Sequence, residues 1–495
     1  MRGRGGGGDG LDPAARPLRR VLVSRESGLM TEKHSMSTPD TSQHVGVPGP
    51  PGDHHIEILT PEALDFVARL DAEFARRRRE ILTARGHRSD SLASGRQLDF
   101  PRATSAVRDD PHWRVAPLAQ GLTGRQREFT GPPNAEAAAH ALASGADVWI
   151  ADFTEVPSPL RENILAGQRT LLDVCRRRTA PTLVVRPRGW HLEEERFRGD
   201  GPPVSASLVD FGLYFFHCAR LLTSAGSVPC FHLAGLENRF EARLWNDVFL
   251  LAQDLLGIPR GTVRATVVID TVTAAFEMEE ILYELREHSS GLAIDPWHYL
   301  FSVIGAFGHR TPFLLPDGSD TPLAAPFMRS YAALIVRTCE RRNARATGDL
   351  TEITPVTDDA PVRAADLLAV RPPGPAQAPS RQQLRSAVAL ALRHTETWLR
   401  GRGTAVPGRR LTETATAELT RARLWQWRRQ RLVSPSDLHA LIDVASAAMA
   451  REHPGALVAA AREVLERTLL EDELPPLLTP DTYRRSLICP TGDSA

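Results

Sequence analysis

"RATVVIDTVTAAFEMEEILYELREHSSGLAID", residues 264–295, holds two short apolar runs on either side of a helical pattern. The runs 264–270 and 290–295 do not alternate polar with apolar, as a half-exposed strand would. They read as strands buried on both faces, the mark of a parallel sheet covered by helices. Residues 273–288 between them repeat apolar positions at helical spacing. Strand, helix and strand in this order form one βαβ unit. Each strand stops at an acid, Asp270 or Asp295.

The same alternation extends outward. Residues 147–153, 181–189 and 229–235 are further strand candidates, and 207–224 and 239–256 are helices between them. Repeated βαβ units predict an α/β fold, with a TIM-type (β/α)8-like barrel the form that best suits this count. Asp152, Arg186, Asp270 and Asp295 all stand at strand ends. One such acid reads as a cap for the next helix. Four polar ends of parallel strands point to one rim, where catalytic loops gather, and together they read as a site.

Composition excludes several chemistries. Lys plus Arg and Asp plus Glu each number 60, so there is no net charge to favour nucleic acid or a membrane surface. No apolar run approaches the ~18–20 residues that span a bilayer. The five cysteines form no CxxC pair, which suits a reducing cytoplasm and argues against structural zinc. Lys33 is the only lysine. With none in the folded part, Schiff-base chemistry and a P-loop are excluded, so negative charge must be met by Arg, backbone N–H groups or a metal.

Residues 1–52 are Gly-, Pro- and Ser-rich, lack the apolar core of a secretory signal and read as a disordered leader. Residues 53–114 form an N-terminal helical clasp, with a helix over 60–88 that starts at Thr60-Pro61. The barrel spans 115–354 and a Pro/Ala-rich linker 355–383. Residues 384–495 form an Arg-rich helical domain.

Longer motifs carry a resemblance. "DPHWRVAP" (110–117), "VVRPRGWHLEEE" (184–195), the stretch 241–292, "WHYLFSVI" (297–304) and "TATAELTRARLWQW" (414–427) closely resemble the bacterial A type of malate synthase. The resemblance runs in order from about residue 53 to the C-terminus. It implies a TIM-type barrel with a helical clasp and a C-terminal helical plug. It also implies condensation of acetyl-CoA with glyoxylate to give malate and CoA in the glyoxylate cycle. Those two small molecules are then the partners, with no nucleic acid or membrane, in a cytoplasmic monomer or small homo-oligomer.

Carried over by position, Arg186 is the catalytic arginine and Glu413 takes the place of the catalytic base, an Asp in the family. The metal ligands fall on Asp270, where the family has Glu, and His298, where it has Asp in "WDYIF". Asp295 and Glu155 fall on substrate-binding positions. Arg188, two residues beyond Arg186, reads as structural. The family's "LPK" lysine is Gly235, and a rim segment containing "DGTW" is missing after about Thr354. The implied cofactor is a divalent metal: Mg²⁺ in the family, with Mn²⁺, another ion or none as the alternatives here. The reading therefore stays open between a malate synthase, a relative acting on another acyl-CoA or 2-oxo acid, and a non-catalytic paralogue that binds a metabolite.

Overall fold

The computed structural model describes residues 55–475, apart from 124–126, 156–160, 178–180, 195–196, 198–201, 316–324, 349–359, 371–377, 401–411 and 454–456. The proposed leader, part of the linker (355–359 and 371–377) and the site of the missing rim segment therefore lie outside the described residues.

Seven parallel strands form one sheet: β1 (Glu128–Gly131), β2 (Val148–Asp152), β3 (Thr182–Arg186), β4 (Cys230–Leu233), β5 (Arg264–Ile269), β6 (Ser289–Ile294) and β7 (Arg345–Thr347). They are hydrogen-bonded in that order. The sheet curls until its outer strands approach, with Arg345 of β7 3.4 Å from Glu128 of β1. Residues from all seven strands line a small cavity of about 10 Å³ at its centre. This is the TIM-type layout that the sequence implied. Two strands that sequence reading missed, β1 and β7, are short and only partly apolar, so they lack the continuous-run signal. Gly291 is required where β6 meets β7, because a Cβ there would lie 1.9 Å from the Arg345 carbonyl oxygen.

The longer helices among the described residues are α1 (Pro61–Ala93), α2 (Ala135–Ala143), α3 (Arg161–Arg177), α4 (Ala206–Ser224), α5 (Arg239–Leu256), α6 (Met278–Glu284), α7 (Pro296–Phe307) and α8 (Pro326–Arg342). After the barrel come α9 (Arg381–Leu399), α10 (Thr412–Arg429), α11 (Pro435–Glu452) and α12 (Val458–Leu470). As expected, α1 starts with Thr60 as N-cap, its hydroxyl taking the Ala63 N–H at 3.2 Å. It packs on α4, α5 and α7. At the far end of the chain, α9 to α12 pack on one another, and α10 lies against α7.

The helix expected over 273–288 is shorter. Thr271 takes the Ala274 N–H with its hydroxyl, and Glu277 takes the backbone and side chain of Arg239. Residues 271–277 are thereby held as a tight turn and a 3₁₀ segment, and α6 starts only at Met278.

Candidate active site

Register builds the site. Asp152 of β2 stands opposite Arg186 of β3. Ile269 of β5 stands opposite Ile294 of β6, so the next residues, Asp270 and Asp295, emerge side by side. Because all strands are parallel, these four groups share one rim.

Arg186 spans this rim. Its Nη1 donates to Asp152 Oδ2 at 2.8 Å, and its Nη2 lies 3.6 Å from Asp295 Oδ2. Asp152 is fully buried and also takes the Thr154 backbone N–H at 2.8 Å and hydroxyl at 2.6 Å. Burial works against the charge on Arg186, yet Asp152 and Asp295 outweigh it and hold the guanidinium firmly protonated.

Asp295 has three tasks. Its Oδ1 caps α7 by taking the His298 N–H at 3.2 Å, with Pro296 at the first helical position. Its Oδ2 faces His298 Nδ1 at 2.9 Å and also faces Arg186. Burial would raise the Asp295 carboxyl, but the two cations overcome it and hold the carboxyl below its usual range. In return, although burial opposes charge, Asp295 raises the His298 imidazole to about 9. The ring therefore carries two protons at neutral pH.

Asp270 is 7% exposed. Its Oδ2 takes the Gly235 N–H at 2.8 Å, while its Oδ1 is buried with no hydrogen-bond partner among the described residues. Burial first, and then the neighbouring Asp295 charge, push its carboxyl up to about 6. Glu155, at the end of the 3₁₀ turn after β2, lies close enough to feel Asp152, His298, Arg186 and Asp295. Burial and the Asp152 charge raise its carboxyl well above the ordinary range, so it keeps its proton at neutral pH. Four acids and two cations thus converge, and two of the acids, Glu155 and Asp270, resist ionisation.

Glu413 lies on α10, but its side chain is outside the described residues. Arg188 lies two residues past the end of β3, where strand alternation, which puts residues two apart on the same face, no longer decides its direction. It is locked to Asp210 at 2.7 and 2.8 Å and to Glu194 at 2.9 Å.

Sequence reading missed Tyr331. Its hydroxyl donates to the Ile269 carbonyl and accepts the Asp295 N–H at 3.2 Å, tying together the two strand ends that carry Asp270 and Asp295. Nothing local to "MRSYAAL" marks this role, since α8 meets those strand ends only in the fold.

The donor set bears on the implied divalent cation. Among the described residues no three His, Cys, Asp or Glu side chains converge as a closed metal cage. Mg²⁺ does not need one, because it keeps several waters and takes one or two carboxylates plus substrate oxygens. The orphaned, buried Oδ1 of Asp270 is an oxygen of the right kind for such an open site. The residues present fit a hydrated ion held at Asp270.

Comparisons with known proteins agree along the chain. The family descriptions that match are "Malate synthase, N-terminal domain" at residues 43–105, "Malate synthase, TIM barrel domain" at 182–377 and "Malate synthase, C-terminal" at 378–485. Malate synthase of Streptomyces clavuligerus is 38% identical over 540 residues, covering 91% of this chain and 99% of its own. Malate synthase of Myxococcus xanthus is 37% identical over 461 residues, covering 79% and 85%. A solved Haloferax volcanii malate synthase magnesium/glyoxylate complex is 12% identical, with a TM-score of 0.39 over 68% of this chain and 97% of that one.

Proposed function

Because the chain belongs to the malate synthase family, we propose that it condenses acetyl-CoA with glyoxylate and hydrolyses the product thioester to malate and CoA. A carboxylate takes a proton from the acetyl methyl group, and the C–H electron pair passes into an enolate. The enolate carbon then bonds to the glyoxylate aldehyde carbon, whose oxygen takes up a proton. Water cleaves the thioester and CoA leaves.

The observation that carries this reading is the Asp152–Arg186–Asp295 bridge at the strand ends. It holds one permanent positive charge at the strand ends, which this reading assigns to the negative charge that develops on the enolate oxygen. A preorganised donor of this kind stabilises a transition state without reorganising during the reaction. Glu413 is assigned the methyl proton by position in the family. Glu155, protonated at neutral pH, is able to donate a hydrogen bond to an oxygen of glyoxylate, and Asp295 orients Arg186 and His298 around it. Asp270 would hold the divalent ion, with His298 as a second ligand once its ring gives up a proton. When bound, such an ion polarises the aldehyde carbonyl.

The two protons on His298 favour one second reading: a cationic ring where the family has a carboxylate suits a different anionic 2-oxo acid. Among the described residues no helix is long and apolar enough to cross a membrane, and four cysteines are free and buried, which supports a cytoplasmic setting. The test is CoA release by the purified protein with acetyl-CoA and glyoxylate under Mg²⁺, Mn²⁺ and Zn²⁺, with products identified. Malate is the expected product. Release of CoA with pyruvate or another 2-oxo acid but not with glyoxylate would favour the second reading, and no release with any of them would overturn both.

A further inference from the structure

Helix α1 lies outside the barrel, yet its arginines reach the loops that carry the site. Arg78 and Arg85 are two turns apart and so share a face. Arg78 donates to the carbonyls of Trp190 at 2.7 Å and Leu192 at 3.2 Å, in the loop after Arg186. Arg85 Nη2 donates to the Gly235 carbonyl at 2.8 Å, in the loop after β4, and to Glu241 Oε2 at 2.6 Å, in the first turn of α5.

Gly235 is thus held on both sides. Its carbonyl is fixed by Arg85, and its N–H donates to Asp270 Oδ2 at 2.8 Å. The residue has φ +68°, a left-handed conformation that glycine adopts without a Cβ penalty. Its Cα side also faces the Gly189 backbone, where an added Cβ would lie 3.9 Å from the Gly189 Cα. Glu241 is fully buried and takes Asn238 Nδ2 at 2.9 Å and the Glu237 N–H at 3.0 Å, which anchors the far end of the Arg85 fork.

We infer that Arg85 is a positioning residue: acting through the Gly235 backbone, it sets where the Asp270 carboxylate points. The inference rests on the proposed reading of Asp270 as a site carboxylate. Arg85 does not touch the reacting atoms. It holds the peptide that follows Gly235, next to the one whose N–H supplies the hydrogen bond to Asp270. It so fixes the Gly235 backbone from the other side of its Cα, while the second Asp270 oxygen has no partner among the described residues. A displacement of about 1 Å in such a group costs on the order of 100-fold in rate.

The test uses the full chain with Arg85→Lys and Arg85→Gln, and Arg88→Gln as control. Arg88 bonds the Glu237 carbonyl at 3.3 Å instead of that of Gly235. Lysine keeps a positive charge for buried Glu241 but cannot present the two-pronged fork to Gly235 and Glu241 together. The first readout is hydrogen exchange of the Gly235 amide in ¹⁵N-glycine-labelled protein, which needs no activity. It should speed up at least tenfold in Arg85→Lys and stay unchanged in Arg88→Gln. The second is kinetic: kcat should fall by tenfold or more while the KM for acetyl-CoA holds. If Arg85→Gln fails to fold, Arg85→Lys carries the test alone. Wild-type Gly235 exchange in a folded Arg85→Lys protein would overturn the inference. Faster exchange in a protein with no condensation activity would support the positioning and count against the proposed function instead.

Discussion

His298 Nδ1 and Asp295 Oδ2 lie 2.9 Å apart, within the first turn of α7, so one carboxylate both starts the helix and holds the imidazolium. Burial and Arg186 both act to lower the pKa of the ring, and Asp295 is the main group raising it to about 9. Asp295→Asn should therefore bring the pKa of His298 below 6.5, the ordinary value. The stability that this raised pKa contributes is present below pH 6.5 and is lost as pH rises through 9. NMR titration of the His298 ring checks the claim, and a pKa still near 9 in the variant would refute it.

Arg186→Ala should lower kcat/KM by about 100- to 1000-fold, the range for losing a preorganised oxyanion donor. The same change leaves the buried carboxylates of Asp152 and Asp295 without their shared cation, so a fall in stability of about 3–5 kcal/mol should accompany it. Arg186→Lys should rescue the stability more than the rate, because one ammonium lacks the fork that spans both acids. Steady-state kinetics beside urea unfolding separates the two losses. Wild-type turnover in Arg186→Ala would remove Arg186 from the mechanism.

Tyr331→Phe removes a hydroxyl that serves two backbone groups, the Ile269 carbonyl and the Asp295 N–H. Leaving them unpaired in a buried place should cost about 1–3 kcal/mol. The ring stack on Tyr299, with centroids 3.9 Å apart, should survive the change. Urea midpoints measure the first effect. If the two strand ends also shift, kcat falls with little change in the KM for acetyl-CoA.

Two buried histidines should make the fold acid-sensitive. Burial, aided by Arg186 and Arg345, lowers His232 to about 3, and burial with Arg264 lowers His288 to about 4. His288 faces Asn246 Oδ1 at 2.9 Å and Gln253 Nε2 at 3.1 Å, a pairing that suits a neutral ring with its proton on Nδ1. Between pH 6.5 and about 4 the unfolded chain binds protons that the folded one refuses. Stability should then fall with decreasing pH by ~1.4 kcal/mol per unit for each histidine. Glu418, buried but held down to about 2 by Arg421 and His394, should add to the loss below pH 4.5. The raised carboxyls of Glu155 and Asp270 take up protons in the folded chain over the same range and act in the opposite sense. The check is therefore NMR titration of the two rings: a His232 or His288 imidazole that protonates near 6.5 in the folded protein would contradict this.

Much of the barrel was legible because a strand buried on both faces must be apolar throughout, as "ATVVI" and "GLAI" are. β1 and β7 were not, since neither has four apolar residues in a row. The strand-end residues Asp152, Arg186, Asp270 and Asp295 were legible for the same reason: once a parallel strand is recognised, its C-terminal end is known and so is its rim. The role of Asp295 was only half legible. Its place before Pro296 marks a helix cap, but nothing nearby marks it as the partner of Arg186.

The sequence by itself determined the parallel α/β architecture, the rim on which the site lies and the exclusion of lysine chemistry, because these follow from residue type and from spacing along the chain. Only the tertiary structure decided which charges meet. Arg186 and Asp152 are 34 residues apart, and Gly235 and Asp270 are 35 apart. Tyr331 and Arg85 reach the rim from helices whose own sequences show only ordinary helical patterns. The protonation of His298, Glu155 and Asp270 was decided there too, since burial and neighbouring charge set a pKa, and both are properties of the packed chain.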